Sequence, residues 1–297
     1  MEQNIGHGGM SEDPIYHRNN LNGEFPVSPP VVLTIAGSDN SCGAGAQADL
    51  KTISALGGYA LTAITCVVAE IPGKVSAIHP IPPEIVAEQI RLSFAAFPVA
   101  AVKTGMLYSR EIIETVVETL GECISGSALR PALVVDPVMV ATSGDALLHG
   151  DAVALYREKL IPQARLITPN LDEVRTLLGR EITSEAEMRE AGLELARIFG
   201  CAVLIKGGHL RGEEAVDYLV EKDHIAEYRA PFVPDVSTHG TGCSYSAAVA
   251  TGLAQGLSLG NSVAAAKRFV SGAIADFLRW EHGGQRVDAL HHFTAPK

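Results

Sequence analysis

The sequence has no run of about 20 apolar residues, the length a helix needs to cross a bilayer, so a membrane-spanning helix is excluded as a reading of its 297 residues. Residues 1–29 lack the apolar core of a secretory signal. Rich in Asn, Gly, Pro and His, they read as a mobile tail, with His7 and His17 as tail residues rather than metal ligands. Cysteine is scarce: Cys42, Cys66, Cys123, Cys201 and Cys243 are scattered without C-x-x-C spacing. That excludes a zinc pattern and a disulfide framework, and it fits a reducing cytoplasm. Positive charge is also short, with 23 Lys and Arg against 34 Asp and Glu and a net charge of −11. A general nucleic-acid or anionic-membrane surface is thereby disfavoured, while a local basic pocket is not. No repeat of roughly 20–50 residues recurs, and no linker separates two cores. The early glycine loop, Gly37…Gly43-x-Gly45, lacks the G-x-G-x-x-G spacing of a dinucleotide site.

What is present is a chain 47% hydrophobic and only 19% charged, which supports a sizeable core and argues against global disorder. Short apolar, β-rich runs at 31–36, 59–69, 100–104, 133–139, 164–168 and 202–206 read as buried strands. Helical patterns fall between and after them, at 46–56, 84–97, 110–124, 151–160, 171–178, 185–199, 244–255 and 259–280. Residues 75–78 read as a short strand beside the main sheet, able to form a flap, and 215–220 with 224–229 as a hairpin around Glu221-Lys222-Asp223. Repeated strand–helix alternation predicts an α/β fold: a central, mostly parallel sheet with helices on both faces.

Residues with chemistry recur where these strands end: Gly37, Glu70, Asp136, Asn170, Lys206 and Gly240. In an open α/β sheet, ligands bind at the carboxyl ends of the strands. The most informative stretch is Ser237-Thr238-His239-Gly240-Thr241-Gly242-Cys243-Ser244. Its glycines permit positive φ and close approach, and the small-residue run after it forms a helix whose free N–H groups make an anion cradle. Cys243 stands at that helix mouth, where a thiol pKa tends to fall; the same residues also fit a plain loop–helix junction with a buried cysteine. Asp49, one turn into a helix, reads either as ligand-facing or as a solvated first-turn acid. Asp136 before Pro137 reads as an Mg²⁺-holding carboxylate or a turn starter. Asn170 with Glu173 reads as a capping box or as a reach toward a metal–phosphate group, with the cap slightly preferred. Lys206 beside Gly207-Gly208 suits phosphate contact as well as a solvated turn.

Taken in order, Thr34-Ile35-Ala36-Gly37-Ser38-Asp39, the run from Gly43 to Lys51, Lys103-Thr104-Gly105-Met106, Asp136-Pro137-Val138-Met139, Ser143-Gly144-Asp145, the run from Ile167 to Glu173, Lys206-Gly207-Gly208-His209 and Thr238-His239-Gly240-Thr241-Gly242-Cys243 resemble one family. It is that of the hydroxymethylpyrimidine/phosphomethylpyrimidine kinases of thiamine biosynthesis, in the ribokinase-like superfamily. The likeness spans about residues 31–280. It implies a three-layer ribokinase-like domain over residues 30–297, using ATP and Mg²⁺ to phosphorylate 4-amino-5-hydroxymethyl-2-methylpyrimidine and then its monophosphate. It also implies a cytoplasmic homodimer with no nucleic-acid or membrane partner. Gly37, Asp49, Val68, Glu70, Met106 and Val138 would line the pyrimidine pocket. Asp136 and Glu173 would serve the metal, and Lys206, Asn170, Thr238 and Thr241 the nucleotide. Gly240, Gly242 and Cys243 would be catalytic, with Cys243 where many sugar kinases of the superfamily carry an aspartate base. One departure is Glu70, where the family usually carries glutamine. A pyridoxal or pyridoxine kinase is the alternative enzyme, and a ligand-binding protein that lost turnover is the alternative of another class.

Overall fold

The structure is a computed structural model that describes residues 28–139, 150–208, 210, 212–236 and 239–293. Most of the expected tail (1–27), the Ser143-Gly144-Asp145 motif, His209 and Thr238 lie outside these residues. Among the described residues nine strands form one sheet in the order β3-β2-β1-β4-β5-β6-β7-β8-β9. They are β1 (Val31–Asp39), β2 (Tyr59–Ile71), β3 (Lys74–Pro80), β4 (Val99–Thr104), β5 (Ala132–Val135), β6 (Leu166–Ile167), β7 (Ala202–Lys206), β8 (Glu214–Glu221) and β9 (His224–Pro231). The central strands, β2-β1-β4-β5-β6-β7, pair in parallel. β3 closes one edge antiparallel to β2, and the β8–β9 hairpin closes the other.

Strand periodicity sorts side chains onto two faces. On β1, Leu33 and Ile35 enter a core with Val86 and Ile90 of α2 (Pro83–Ala96) and Ile113 and Val116 of α3 (Arg110–Gly126). Val32 points the other way, toward Ile53 of α1 (Gly45–Ala55) and a second core. The same alternation splits Leu133 and Val135 from Val134, and Val203 and Ile205 from Leu204. Burial on both faces is why these strands read as unbroken apolar runs. The first face is completed by α4 (Gly150–Leu155), α5 (Leu171–Leu178) and α6 (Glu185–Phe199), the second by α7 (Thr241–Ala254) and α8 (Leu259–Ala275).

Three expected elements differ. The strand expected over 133–139 ends at Val135, because Pro137 has no N–H to give a ladder; Asp136 N–H still bonds Thr104 O at 2.9 Å. The helix expected over 151–160 passes after Leu155 into a π turn and then a 3₁₀ turn at Ile161–Gln163, which contains Pro162. The last helix, expected to run to residue 280, stops at Ala275. Leu278–His282 (β10) instead pairs antiparallel with Gln285–Ala289 (β11) around Gly283-Gly284, both at positive φ, the signature of a tight hairpin. Among the described residues no helix is long and apolar enough to cross a membrane.

A buried ion pair lies under the centre of the sheet. Lys103 Nζ of β4 meets Asp49 Oδ2 of α1 at 2.7 Å, both side chains fully buried, and Thr34 Oγ1 donates to the same oxygen at 2.5 Å. Burial pushes the Asp49 carboxyl up, and the charge of Asp49 in turn raises the Lys103 pKa. Removing one partner strands the other: Lys103→Met should cost about 3–5 kcal/mol in denaturant unfolding, and Lys103→Met/Asp49→Leu should recover most of it.

Candidate active site

A cleft of about 600 Å³ opens over the carboxyl ends of the parallel strands. Gly37 from β1, Val68 and Glu70 from β2, Met106 after β4 and Asp136 and Val138 after β5 all line it. So do Asn170 and Glu173 at the start of α5, Lys206 at the tip of β7, and Gly240, Thr241, Gly242 and Cys243 at the start of α7. Val75 and Ile78 of β3 also reach it, placing the expected flap at its rim. Two expectations about these residues need correction or fall outside. Asp49 is absent from the cleft wall and is neither ligand-facing nor a solvated first-turn acid; its charge is committed to Lys103 beneath. Thr238 lies outside the described residues. The cleft also has an apolar part that sequence reasoning missed, built by Phe232, Val233, Val270 and Ile274. Val270 and Ile274 belonged to an ordinary amphipathic helix, and no local signal distinguishes a helix face that meets a cleft from one that meets a core.

The turn before α7 depends on its glycines. Gly240 has φ of +80°, and a Cβ there would fall 1.8 Å from Gly43 O; a Cβ on Gly242 would sit 3.0 Å from Lys206 Nζ. Ser244 N–H bonds Gly240 O at 2.9 Å, closing the first helical turn, so the N–H groups ahead of it have no acceptor within the helix. The loop after β1 comes to the same place. Asp39 organises it, accepting from Ser41 N at 2.6 Å, Ser41 Oγ at 2.9 Å and Ala44 N at 2.8 Å. Burial works against its charge, yet the hydrogen bonds from His239 and Ser41 hold Asp39 down to about 2. The N–H of Gly45, the first residue of α1, acts on the Cys243 thiol, drawing it down. The sulfur thus stands between the first turns of two helices, each with a positive dipole end.

Opposite charges converge nearby. Lys206 Nζ meets Asp136 Oδ1 at 2.9 Å, and Thr168 Oγ1 donates to that oxygen at 3.0 Å. Burial opposes ionisation of Asp136, but the Lys206 and Lys103 ammonium groups outweigh it and keep the carboxyl below its usual range. Burial, reinforced by the charge of Asp136, lifts Glu173 to about 8. Both bonds of the Asn170–Glu173 capping box are formed, at 2.9 and 2.8 Å, so the cap is real and its members still face the cleft. The Cys243 thiol departs from expectation. Burial, with the charges of Asp49 and Asp136, pushes it up to about 11 against the pull of Lys103 and the Gly45 N–H. The helix mouth alone predicts a lowered value, but the carboxylates behind it are brought there only by folding. Glu70 is raised too, by burial and then by the charge of Asp39.

Among the described residues no group of three or more His, Cys, Asp or Glu could hold a metal by itself. Asp136 and Glu173 supply two hard oxygen donors on one wall of the cleft, and Asp136 Oδ2 faces Gly242. One or two carboxylates completed by substrate phosphates is the usual Mg²⁺ arrangement, so the donor set fits that ion.

A family model described as phosphomethylpyrimidine kinase matches residues 39–288. The chain belongs to this family. It is 44% identical over 264 residues to the hydroxymethylpyrimidine/phosphomethylpyrimidine kinase of Rhizobium meliloti, covering 89% of this chain and 97% of that one. It is 43% identical over 254 residues to the thiamine biosynthesis bifunctional protein ThiED of Geobacter sulfurreducens, covering 86% of this chain but only 51%, about half, of that longer relative. Among solved structures, phosphomethylpyrimidine kinase of Clostridium difficile superposes with a TM-score of 0.71 at 40% identity, over 82% of this chain and 99% of that one. An ADP complex of Bacillus subtilis pyridoxal kinase gives 0.79 at 34% identity, over 89% and 98%. In this kinase family member the Gly240 turn is the most constrained part of the cleft. Gly240→Ala should lower turnover by at least about 100-fold, because its Cβ forces turn and loop apart and displacements near 1 Å have that effect; steady-state kinetics on a variant with native circular dichroism checks it.

Proposed function

We propose that this chain transfers the γ-phosphoryl group of ATP to the hydroxymethyl oxygen of 4-amino-5-hydroxymethyl-2-methylpyrimidine, and then phosphorylates the monophosphate to the diphosphate for thiamine biosynthesis. The observation that carries the reading is the meeting, in one cleft, of the Gly240–Gly242 turn with the Lys206–Asp136 pair in a chain of the phosphomethylpyrimidine kinase family. Gly37, Val68, Glu70, Met106 and Val138 form the pocket for the heterocycle, and Asp49 supports it from behind through Lys103. Lys206, Asn170 and Thr241 serve the nucleotide phosphates, with Thr238 assigned by family resemblance. Thr241 Oγ1 is buried with no hydrogen-bond partner among the described residues, leaving it open to a phosphate oxygen. Phe232, Val233, Val270 and Ile274 suit the flat, apolar faces of a nucleotide base. Asp136 and Glu173 would hold Mg²⁺, which when bound neutralises phosphate charge.

Phosphoryl transfer asks the protein mainly for alignment and charge stabilisation. The N–H groups of the turn, fixed before the reaction, stabilise negative charge on the transferring group. Cys243 takes the hydroxymethyl proton. Because its thiol is pushed up to about 11, only the small ionised fraction is active near neutrality, and that fraction grows as pH rises. We expect kcat to climb with pH between about 7 and 10 in the native enzyme and Cys243→Ser to lose both rate and slope. Equal turnover in Cys243→Ala would remove the cysteine from this role.

Glu70 refines the substrate. Burial and the charge of Asp39 favour the neutral form of this carboxyl, and in that form it donates its O–H to a ring nitrogen and accepts from the exocyclic amine, as glutamine would. Glu70→Gln should therefore keep or improve kcat/KM on the pyrimidine and remove whatever pH dependence the Glu70 carboxyl contributes. A second reading, a pyridoxal or pyridoxine kinase, is favoured by the likeness to Bacillus subtilis pyridoxal kinase together with Glu70. An ADP-release screen of pyrimidine and pyridine alcohols, with mass detection of mono- and diphosphate, decides between them: the pyrimidine should give the higher kcat/KM and a diphosphate.

We place the enzyme in the cytoplasm as one domain over residues 30–297. We read it as a homodimer, with the exposed Val67 and Ile71 of β2 and Val75 of β3 as a candidate contact. Sedimentation at micromolar concentration reads that state.

A further inference from the structure

His239 precedes the anion turn, yet its ring points back to a loop 200 residues earlier: Nε2 lies 3.2 Å from Asp39 Oδ2. Asp39 is 2% exposed and His239 only 11%. Three bonds from Ser41 and Ala44 to the Asp39 carboxylate close the loop on itself, whereas the bond from His239 crosses to the turn. Backbone meets backbone beside it. A Cβ on Gly240 would overlap Gly43 O at 1.8 Å, and one on Gly43 would come within 3.0 Å of His239 Cδ2. Two residues beyond Gly43 the loop becomes α1, which packs beside α7, and its first N–H, from Gly45, draws the Cys243 thiol down. Loop, helix start, sulfur and turn therefore form a closed ring, and the His239–Asp39 contact joins its far side.

We propose that the His239–Asp39 contact is a positioning latch: it locks the loop after β1 to the turn before α7 so that the α1 N-terminus stays aimed at Cys243 while phosphate is transferred. His239 Nδ1 is buried with no hydrogen-bond partner among the described residues. A side chain chosen only to fill space would avoid that cost, so the ring is held for what Nε2 does. A bond to an ionised carboxylate is among the stronger kinds, and Asp39, held down to about 2, stays ionised at every working pH. Glu70 also faces this pair, while Lys103, Asp49, Asp136 and Lys206 face Cys243. The latch adds no charge to the sulfur; it fixes where the Gly45 N–H points. The assignment of a role to the sulfur rests on the kinase reading above, but the geometry of the latch does not.

The test compares His239→Leu, which fills the ring volume without a donor, His239→Gln, which returns an N–H, and Asp39→Asn, all in the full-length chain. Amide hydrogen–deuterium exchange reads the latch without reference to activity. In His239→Leu, peptides covering residues 40–47 should exchange about tenfold faster or more, while α8 peptides stay as in the native protein. With the pyrimidine alcohol as substrate, kcat should fall about 10- to 100-fold with KM within about threefold. His239→Gln should recover most of both effects, and Asp39→Asn/His239→Leu should be no slower than the slower single variant. Unchanged exchange over residues 40–47 overturns the latch. So does a tenfold rise in KM with kcat intact, because His239 then touches substrate directly. Should His239→Leu not fold, His239→Gln and Asp39→Asn carry the same comparison: native exchange over 239–243 in Asp39→Asn also overturns it. If the pyrimidine is not turned over at all, the exchange data still decide the latch, so the two failures remain distinct.

Discussion

The cleft depends on one close approach, the backbone of Gly240 against the carbonyl of Gly43. A Cβ at Gly240 would lie 1.8 Å from that oxygen, so only glycine lets the two segments touch, and Gly240 at φ of +80° is in the region that favours glycine in any case. This contact brings the start of α1 beside the start of α7 and places one sulfur between two positive helix ends. Everything that handles phosphate is arranged around that junction. Lys206 arrives from the tip of β7, and Asp136 from just past β5, where Pro137 ends the strand and frees the chain to turn.

The electrostatics of the site is a balance held in low dielectric. Two ammonium groups, on Lys103 and Lys206, face three buried carboxyls, on Asp49, Asp136 and Glu173. The two close pairs keep Lys103 and Lys206 charged, while Glu173 and the Cys243 thiol are both pushed up by burial. In the free protein the site therefore carries less negative charge than its carboxyl count implies, which favours the entry of a polyanion. Lys103 and Asp49 also make the floor expensive to disturb, because neither ion has water to fall back on. The raised Glu70 extends the same logic to the other end of the cleft, where burial and then the charge of Asp39 disfavour its ionised form.

Much of this was legible from residue pattern. The parallel strands stand out as apolar runs because helices cover both faces of the sheet, and the chemistry-bearing residues stand at their ends. Asn170 and Glu173 were readable as a cap from spacing alone, and both capping bonds are present. Two of the misreadings share one cause, the use of local pattern where distant neighbours decide. Cys243 at a helix mouth reads as a lowered thiol, but burial, helped by Asp49 and Asp136 from over 100 residues away in the chain, reverses the sign. Asp49 reads as facing ligand or solvent, yet Lys103 draws its charge beneath the sheet. The last helix was drawn through Phe277 and Trp280, which continue its apolar period, although Gly283-Gly284 marks the hairpin that replaces it.

The sequence by itself determined the layer architecture, the family and the residues at the strand ends, because side-chain periodicity, glycine and capping signals act over a few residues and survive without coordinates. The tertiary structure decided which of those residues share a wall, which carboxyl lies behind rather than in the cleft, the direction of each pKa shift and the pairing of His239 with Asp39. Those are properties of distance and burial, and Coulomb energy and desolvation depend on where a group ends up in space rather than on its place along the chain.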